Sequence, residues 1–357
     1  MDLSFWRNKS VFITGHTGFK GSWLTFWLHQ LGAAVKGYAL APTSSQTLYE
    51  SLSLDKKITS VFSDISDLPC LQKEINLFQP EIVFHLAAQP LVQYSFHDPY
   101  ETFKTNVLGT VSLLEAVRHC PSVRAVVVVT TDKCYQNNEW VWPYRENDRL
   151  GGDDPYSSSK ACAELATDAF YKSFFSSDLE NKNNCAVASA RAGNVIGGGD
   201  WAEKRLIPDL IRSIENGNSL ILRNPMATRP WQFVLEPLRG YLKLAQQLYK
   251  NGKKYSGGWN FGPRENESQP VEWVVNQLFE ALGVSCEWEI SEEKHFKEKQ
   301  MLCLDISKAE QALEWVPVLS IAESIKYTAD WYACYLSGGD LLKITKNQIE
   351  SYEGFLN

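Results

Sequence analysis

Apolar residues in the first half of the chain fall in short runs separated by longer amphipathic stretches. The short runs are apolar on both faces, whereas a strand with one face in water alternates apolar and polar residues. Strands of this kind, separated by helices, predict the α/β fold class with a doubly wound parallel sheet, as in Rossmann domains. The predicted strands cover 11–14, 33–40, 61–62, 81–87 and 124–131, and the predicted helices cover 22–31, 67–78 and 99–119.

The pattern changes after about residue 191, where loops, prolines and tryptophans become more frequent. We interpret residues 1–190 as the Rossmann domain and residues 191–357 mainly as a smaller mixed α/β lobe. Segments near 232–260 and 315–336 are expected to return and pack on the first domain. Helical periodicity in this half predicts helices over 206–215, 237–249, 271–282 and 321–335.

Composition narrows the possible partners. The 357 residues carry a net charge of -7, and nucleic-acid binding calls for a clustered basic face, so no nucleic-acid partner is expected. No apolar run approaches the ~20 residues of a membrane helix, and the N-terminus lacks a signal-peptide pattern. These features predict a cytoplasmic protein without membrane contact. The eight cysteines lack the spacing of a metal site, which predicts reduced thiols and no metal.

A glycine-rich turn follows the first predicted strand. Gly15, Gly18 and Gly21 occupy every third position between that strand and the first helix. Gly15 permits a tight turn, Gly18 lets the backbone approach a pyrophosphate, and Gly21 allows close helix packing. The same spacing occurs in simple strand-to-helix turns, but its place in an α/β alternation favours binding of a dinucleotide at the helix N-terminus.

The end of the second predicted strand lacks the acidic residue that usually binds the adenosine ribose of NAD. No arginine occurs between Arg7 and Arg118, so the 2′-phosphate of NADP has no evident partner either. The sequence therefore favours NAD, with a weaker hold on the ribose.

Tyr156 and Lys160 lie four residues apart, on one face of a helix that Pro155 can begin, with Asp153 or Asp154 as its cap. A nearby ammonium lowers the pKa of a phenol, so the pair can take a proton from a hydroxyl group while its carbon loses hydride. A tyrosine and a lysine at this spacing often only cover a helix surface. The other motifs in the chain favour the catalytic interpretation of this pair.

Three polar residues follow the strand predicted at 124–131. Ligands of doubly wound sheets bind at the carboxyl ends of the strands, so Thr131, Asp132 and Lys133 are expected in the same cleft as the cofactor. Turn formation is the alternative explanation, above all for Asp132.

Together these motifs resemble those of the extended short-chain dehydrogenases/reductases. Within that superfamily the chain is similar over nearly its whole length to the nucleotide-sugar 4,6-dehydratases, above all to the branch that acts on CDP-glucose. The strings that carry this resemblance are GHTGFKGSW (15–23), HLAAQP (85–90), RAGNVIGGGDW (191–201) and TRPWQ (228–232).

The resemblance implies internal hydride transfer through tightly bound NAD. Tyr156, supported by Lys160 and Thr131, would deprotonate the C4 hydroxyl of CDP-D-glucose, and Asp132 would protonate the departing C6 hydroxyl. The products would be CDP-4-keto-6-deoxy-D-glucose and water, within deoxysugar biosynthesis for a bacterial surface polysaccharide such as O antigen. The dTDP-glucose enzymes carry a glutamate at the position of Lys133. In the CDP-glucose branch a lysine is expected there, either as the C5 base or as a stabiliser of the enolate.

The resemblance also implies the remaining site residues. Arg205 and Asn260 are the weaker assignments, since each could equally face solvent or cap a loop. The expected cofactor contacts are Gly15, Thr17, Gly18, Phe19, Gly21, Asp64, Ile65, Leu86, Ala87, Ala88, Thr105, Tyr156, Lys160 and Ala192. The expected substrate contacts are Gln89, Asn194, Arg205, Arg229 and Asn260.

The family resemblance further implies a homodimer or homotetramer built through the helices at 99–119 and 157–175, although their apolar stripes could instead face the sheet. Three other functions stay open. A nucleotide-sugar 4-epimerase would share the glycines and the Tyr156–Lys160 pair but would not need Asp132. A 4,6-dehydratase could act on another nucleotide, and a non-catalytic dinucleotide sensor could dispense with the pair.

Overall fold

The computed structural model describes residues 1–42, 44, 46–176, 185–264, 267–285, 287–291 and 301–356. The strands of this part of the chain are β1 (Ser10–Thr14), β2 (Ala34–Ala39), β3 (Thr59–Phe62), β4 (Ile82–His85), β5 (Ala125–Val129), β6 (Ala186–Ala192), β7 (Val195–Ile196), β8 (Leu220–Leu222), β9 (Thr228–Arg229), β10 (Gln232–Phe233), β11 (Gly257–Phe261), β12 (Gln269–Pro270) and β13 (Trp288–Ile290).

The α-helices are α1 (Phe19–Gln30), α2 (Leu48–Ser51), α3 (Leu68–Phe78), α4 (Val92–His97), α5 (Pro99–Phe103), α6 (Gly109–Arg118), α7 (Pro155–Phe170), α8 (Leu206–Asn216), α9 (Leu235–Asn251), α10 (Val271–Leu282), α11 (Ser307–Leu313), α12 (Ile321–Leu336) and α13 (Leu341–Gly354). Short 3₁₀ turns lie at Leu3–Trp6, Leu54–Lys56, Asp132–Cys134 and Gly252–Tyr255, and π turns lie at Lys104–Leu108 and Tyr171–Phe175.

Seven strands form one parallel sheet in the order β11-β6-β5-β4-β1-β2-β3. From β1 the chain adds β2 and β3 on one side and then returns to add β4, β5 and β6 on the other. The predicted doubly wound α/β fold is therefore confirmed. Thr14, at the carboxyl end of β1, pairs with Tyr38 of β2 and His85 of β4. The ligand crevice of such a sheet lies beside this switch point.

Strand β5 shows why the central strands read as continuous apolar runs. All of its residues are buried, and its alternate side chains enter two different cores. Val127 and Val129 pack in the core that contains Leu24 of α1 and Leu238 of α9. Val126 and Val128 face the opposite core, which contains side chains of α3 and α6. With helices on both faces, neither face of this strand meets water.

The helix pattern was predicted well where periodicity was strong. The helix at 271–282 coincides with α10, whereas the helix at 99–119 is divided into α5, a π turn and α6. Helix α1 begins at Phe19, three residues before its predicted start, with Gly18 at its N-cap. The N-cap of α7 is Asp154 rather than Asp153, since Asp154 Oδ1 accepts from Ser157 N at 2.9 Å. Helices α4, α11 and α13 and strand β6 were not predicted.

Several segments of the second half pack against the first. Strand β11 pairs with β6 at the edge of the main sheet, and α9 packs on β5 and β6. Helix α13 contacts α1, because Trp27 Nε1 donates to Glu353 Oε1 at 2.7 Å. The short pairs β7–β10, β9–β12 and β8–β13 form three separate two-stranded sheets. The division at residue 190 stays a prediction.

Among the described residues, none of the helices is long and apolar enough to span a membrane. Seven cysteines are free thiols, and Cys286 lies outside the described part of the chain. Within that same part, no group of three or more His, Cys, Asp or Glu side chains has the arrangement of a metal site.

Candidate active site

A cleft of about 1010 Å³ opens at the carboxyl ends of β5 and β6, with the segments around β7, β8 and β9 as its opposite wall. It brings together predicted residues that lie far apart in sequence. Those lining it are Phe19, Thr131, Asp132, Lys133, Tyr156, Ala192, Asn194, Arg205 and Arg229.

The glycine-rich turn has the shape that its sequence predicts. Gly15 has a φ of +74°, and a Cβ there would lie 2.6 Å from Ala87 N, so the turn requires glycine at this position. A Cβ on Gly21 would lie 2.0 Å from Gly15 O. Gly18 is exposed and forms the N-cap of α1 without a capping side chain from the described residues. The first N–H groups of α1 are thus available to an anion.

His16, in the glycine-rich turn, packs its ring against the middle of β2 and faces β3. Its ring lies against Gly37, where a Cβ would be 2.3 Å from the ring carbons, and its Nε2 is 3.0 Å from Ser60 Oγ. Burial lowers the pKa of His16 to about 4, so the imidazole is neutral at pH 7. The motif contained this residue, but only the packing shows its position.

Residues predicted to hold the adenosine half of the dinucleotide lie at the ends of β3 and α5. The Asp64 carboxylate accepts from Ser66 N at 2.8 Å and from Lys104 Nζ at 2.9 Å. Ile65 is buried beside α6, and Thr105 donates to a glutamate of α5. Thr17 donates to the carbonyl of Leu40 at 3.0 Å.

The loop after β4 closes the opposite side of the glycine-rich turn. Ala87 N donates to Thr14 Oγ1 at 3.2 Å, and Leu86 and Ala88 flank it, partly buried. Gln89 instead supports its own loop, because its Nε2 donates to Thr102 Oγ1 at 2.9 Å. The structure therefore gives Gln89 a loop-holding role, and its side chain does not line the cleft.

Thr131 and Asp132 form the centre of the cleft. Thr131 caps the 3₁₀ turn that begins at Asp132, and its Oγ1 donates to Asp132 Oδ1 at 2.9 Å. Asp132 is 1% exposed, and its Oδ2 has no hydrogen-bond partner among the described residues. Gly193 faces this oxygen, where a Cβ would lie 3.0 Å away. A buried oxygen without a partner, at the wall of a cleft, is suited to a ligand hydroxyl.

Tyr156 lies near the start of α7, and its backbone N–H donates to Ser95 Oγ at 3.1 Å. Burial raises the pKa of the phenol to about 12, while a hydrogen bond with Thr131 and the charge of Arg205 lower it. The sequence predicted Lys160 as the cation that acts on this phenol. The charge of Arg205 was not predicted to act on it, and the role of Lys160 stays a prediction.

Lys160 lies one turn further along α7 and is buried, with its Nζ donating to Val129 O at 3.3 Å. Burial lowers the pKa of Lys160 to about 8, against the opposing charge of Glu164. Lys20, from the glycine-rich turn, also lines the cleft, and burial together with the charges of Lys160 and Arg205 lowers its pKa to about 7. Lys20 was not predicted, although its place between Gly18 and Gly21 was a signal.

The second half supplies polar groups opposite the turn at 131–133. Asn194 Oδ1 is buried without a hydrogen-bond partner among the described residues. Arg205 Nη1 lies 2.9 Å from Asp200 Oδ2, and Arg229 lines the cleft from β9. Two guanidinium groups beside a partner-free amide oxygen can bind an anion and an adjoining hydroxyl group.

Asn260 lies behind the cleft rather than in its lining, and its predicted substrate role stays a prediction. Asn260 is fully buried in β11, where its Oδ1 accepts from Tyr135 OH at 2.8 Å and its Nδ2 donates to the carbonyls of Tyr144 and Asp305. These bonds use its amide to join three separate segments behind the cleft. Its neighbours in sequence gave no indication of these distant partners.

The chain is similar in sequence to proteins of known function. The family described as GDP-mannose 4,6 dehydratase matches residues 12–328. A CDP-glucose 4,6-dehydratase from Salmonella typhimurium is 49% identical over 352 residues, which cover 99% of this chain and 98% of the relative.

Among solved structures, a UDP-glucose 4-epimerase from Thermotoga maritima has a TM-score of 0.79 at 23% identity, covering 91% of this chain and 99% of its own. A dTDP-glucose 4,6-dehydratase from Bacillus anthracis, in complex with NAD, has a TM-score of 0.76 at 22% identity, covering 94% of this chain and 99% of its own. At these identities the two structures bear on the fold alone.

Proposed function

The chain belongs to the GDP-mannose 4,6-dehydratase family, and on that premise we propose that it is an NAD-dependent nucleotide-sugar 4,6-dehydratase acting on CDP-D-glucose. Its products are CDP-4-keto-6-deoxy-D-glucose and water. The observation that carries the reaction type is the meeting of Tyr156, Thr131 and Asp132 in one cleft. The choice of CDP rests on the relative from Salmonella typhimurium.

The cradle around Gly15 fits a dinucleotide. A Cβ would fill the space beside Ala87, and the uncapped start of α1 presents N–H groups to a pyrophosphate. The residues at 15–21, Leu86, Ala88 and Ala192 would hold NAD, and Asp64 and Ile65 would lie at its adenine end. When bound, NAD would accept hydride from C4 of the sugar and return it to C6.

Tyr156 removes the proton of the C4 hydroxyl. Its phenol is buried, and a buried phenol loses a proton only with nearby donors and cations. Arg205 supplies the charge, Thr131 can turn its one hydroxyl proton from Asp132 to the phenolate, and Lys160 adds a buried ammonium one helical turn away. The three groups favour the phenolate in the presence of substrate.

Asp132 delivers the proton to the C6 hydroxyl as it leaves. Its Oδ2 is buried beside Gly193 and has no partner among the described residues, so a substrate hydroxyl can occupy that position. The C4 ketone acidifies the C5 proton. Lys133, which lines the same cleft, either removes that proton or stabilises the resulting enolate.

The diphosphate lies against the opposite wall. Arg229 would bind it, since a guanidinium can donate to two phosphate oxygens at once, and Asn194 would donate to it from its amide nitrogen. Arg205, paired with Asp200, acts electrostatically on Tyr156 and would bind the sugar end.

The protein is a homodimer formed through α5, α6 and α7. Large apolar side chains along this part of the chain are exposed, with Tyr100 of α5 at 79%, Leu108 of the π turn before α6 at 56% and Leu165 of α7 at 57%. A second copy that packs helix against helix would cover them.

Parallel turnover assays with CDP-, dTDP-, UDP- and GDP-glucose test the proposal. We expect a 4-keto-6-deoxy sugar from CDP-glucose, detected by its chromophore in strong base, and far slower turnover of the others. Preference for another nucleotide would contradict the substrate, and conversion of glucose to galactose would contradict the reaction type.

A further inference from the structure

We infer that the buried pair of Arg191 and Glu164 is a positioning pair that fixes the catalytic segments relative to one another. The inference rests on the proposed function, because the segments it joins carry Thr131, Asp132 and Lys160. Both side chains are buried, and neither lines the cleft.

The carboxylate of Glu164 is held by four donors. The side chains of Glu164 on α7 and Arg191 on β6 are only 3% and 4% exposed. Arg191 donates from Nη2 to Oε2 at 2.7 Å and from Nε to Oε1 at 2.9 Å. Ser189 Oγ donates to Oε2 at 2.6 Å, and Thr130 Oγ1 donates to Oε1. Such a fork-shaped contact fixes orientation as well as distance.

Two of these contacts hold both sides of the catalytic turn at 131–133. Thr130, which donates to Glu164, directly precedes the turn. Tyr135 follows it, and the Tyr135 hydroxyl accepts from Arg191 Nη1 at 2.6 Å. The guanidinium also lies 5.0 Å from the centre of the Tyr135 ring. The pair therefore fixes the turn from both ends.

The same two side chains reach the other catalytic segments. Glu164 follows Lys160 by one turn on the same face of α7. Arg191 directly precedes Ala192 and Gly193, which line the cleft. Chain segments that bear the phenol, the acid and the glycine facing that acid thus meet at one ion pair.

Strand β11 leaves space for this arrangement. A Cβ on Gly258 would lie 2.6 Å from Arg191 Nη2 and 2.8 Å from its Cζ. Any larger residue at 258 would press on the guanidinium rather than on a flexible surface group. The backbone of β11 at Gly258 therefore fixes the position of the Arg191 guanidinium, together with the hydrogen-bond partners of Arg191.

A buried ion pair contributes no more to the free energy of unfolding than well-packed apolar residues in its place would, because the loss of hydration offsets the attraction between the charges. Its particular contribution is orientation and charge. The ionisable groups that act on Lys160 or feel its charge are Glu164, Cys134, His85 and Lys20. Of these, Glu164 carries the negative charge that opposes the lowering of the Lys160 pKa by burial.

The test compares kcat, KM and pH profiles of three variants. For Glu164→Gln we expect kcat to fall about tenfold or more with KM within about twofold, and the alkaline limb of kcat to move down by about one pH unit. Gly258→Ala displaces the Arg191 guanidinium and keeps every charge. We expect it to lower kcat by a similar factor and to leave the alkaline limb of the kcat profile where it is in the wild type.

Glu236→Gln is the control, since Glu236 is an equally buried carboxylate paired with Arg239 on α9. It should lower the unfolding midpoint and leave kcat unchanged.

A wild-type kcat and pH profile in Glu164→Gln would overturn the inference, as would an equal loss in Glu236→Gln. If Glu164→Gln does not fold, Gly258→Ala is the test, and a wild-type kcat in Gly258→Ala would overturn the inference. The wild type is first assayed on CDP-, dTDP-, UDP- and GDP-glucose, and the variants on whichever sugar it converts. Failure on CDP-glucose alone counts against the proposed substrate, and failure on all four rejects both proposals.

Discussion

Asp132 can act as an acid only while its Oδ2 stays open to the cleft, and Gly193 keeps it open. A Cβ at residue 193 would lie 3.0 Å from that oxygen and 2.9 Å from Pro230 Cγ. Both contacts are shorter than side chains normally make, so the carboxylate or the proline would have to move.

We predict that Gly193→Ala lowers kcat by about 10²-fold, because a displaced acid protonates the leaving hydroxyl poorly. Steady-state kinetics on CDP-glucose measure this. Gly262→Ala is the matched control, since a Cβ there would find its nearest neighbour, Leu304, at 3.6 Å. Equal kcat values in the two variants would contradict the role given to Gly193.

Spacing and strand order predicted Thr131, Asp132, Lys133 and Tyr156 in one cleft, because the carboxyl ends of parallel strands share one edge of the sheet. Residues whose roles depend on distant partners could not be predicted in this way. Asn260 is an example, since its amide bonds reach Tyr135, Tyr144 and Asp305.

At the scale of elements, prediction succeeded where a single segment carries its own periodicity. Strand β6 was missed because its sequence, AVASARA, is rich in small residues, and it is buried by α9 rather than by its own hydrophobicity. Helix α13 has weak apolar character and is held by contacts such as that between Glu353 and Trp27. The break at Lys104–Leu108 is a π turn, which leaves no signal in the apolar pattern.

Helix α7 carries Tyr156 and Lys160 on its buried face and Leu165 on its exposed face. We predict that Leu165→Glu converts the dimer to a monomer, because a desolvated carboxylate without a partner is costly at a helix interface. Sedimentation equilibrium measures the mass. Leu77→Glu, on α3, is the control at a leucine that is 68% exposed, and it should leave the dimer intact. A Leu165→Glu protein with the mass of the wild type would contradict the proposed interface.

At the scale of the whole molecule, two buried histidines couple folding to pH. Burial lowers the pKa of His16 to about 4, and burial with the charge of Lys160 lowers that of His85 to about 3. His85 joins β1 to α6, since its Nδ1 lies 2.7 Å from Thr14 Oγ1 and its Nε2 lies 3.1 Å from Thr110 Oγ1. Below a pH of about 6.5 the unfolded chain binds protons at both sites and the folded chain does not.

The free energy of unfolding should therefore fall as the pH drops from about 6.5 towards 4, with each histidine contributing up to about 1.4 kcal/mol per pH unit. His85→Gln should reduce the slope of this decline by the amount that one bound proton contributes, up to about 1.4 kcal/mol per pH unit. Urea unfolding across that pH range measures it. The same slope in His85→Gln and wild type would contradict the coupling.

The central claim is that one cleft removes hydride from C4 of CDP-glucose and returns it to C6. The most direct measurement uses CDP-glucose that carries deuterium at C4, with the intact protein, bound NAD and ordinary water. We predict a 4-keto-6-deoxy product with deuterium at C6 and no net reduction of NAD, as measured by NMR and mass spectrometry. A product without deuterium at C6, or a labelled CDP-galactose in its place, would contradict the account.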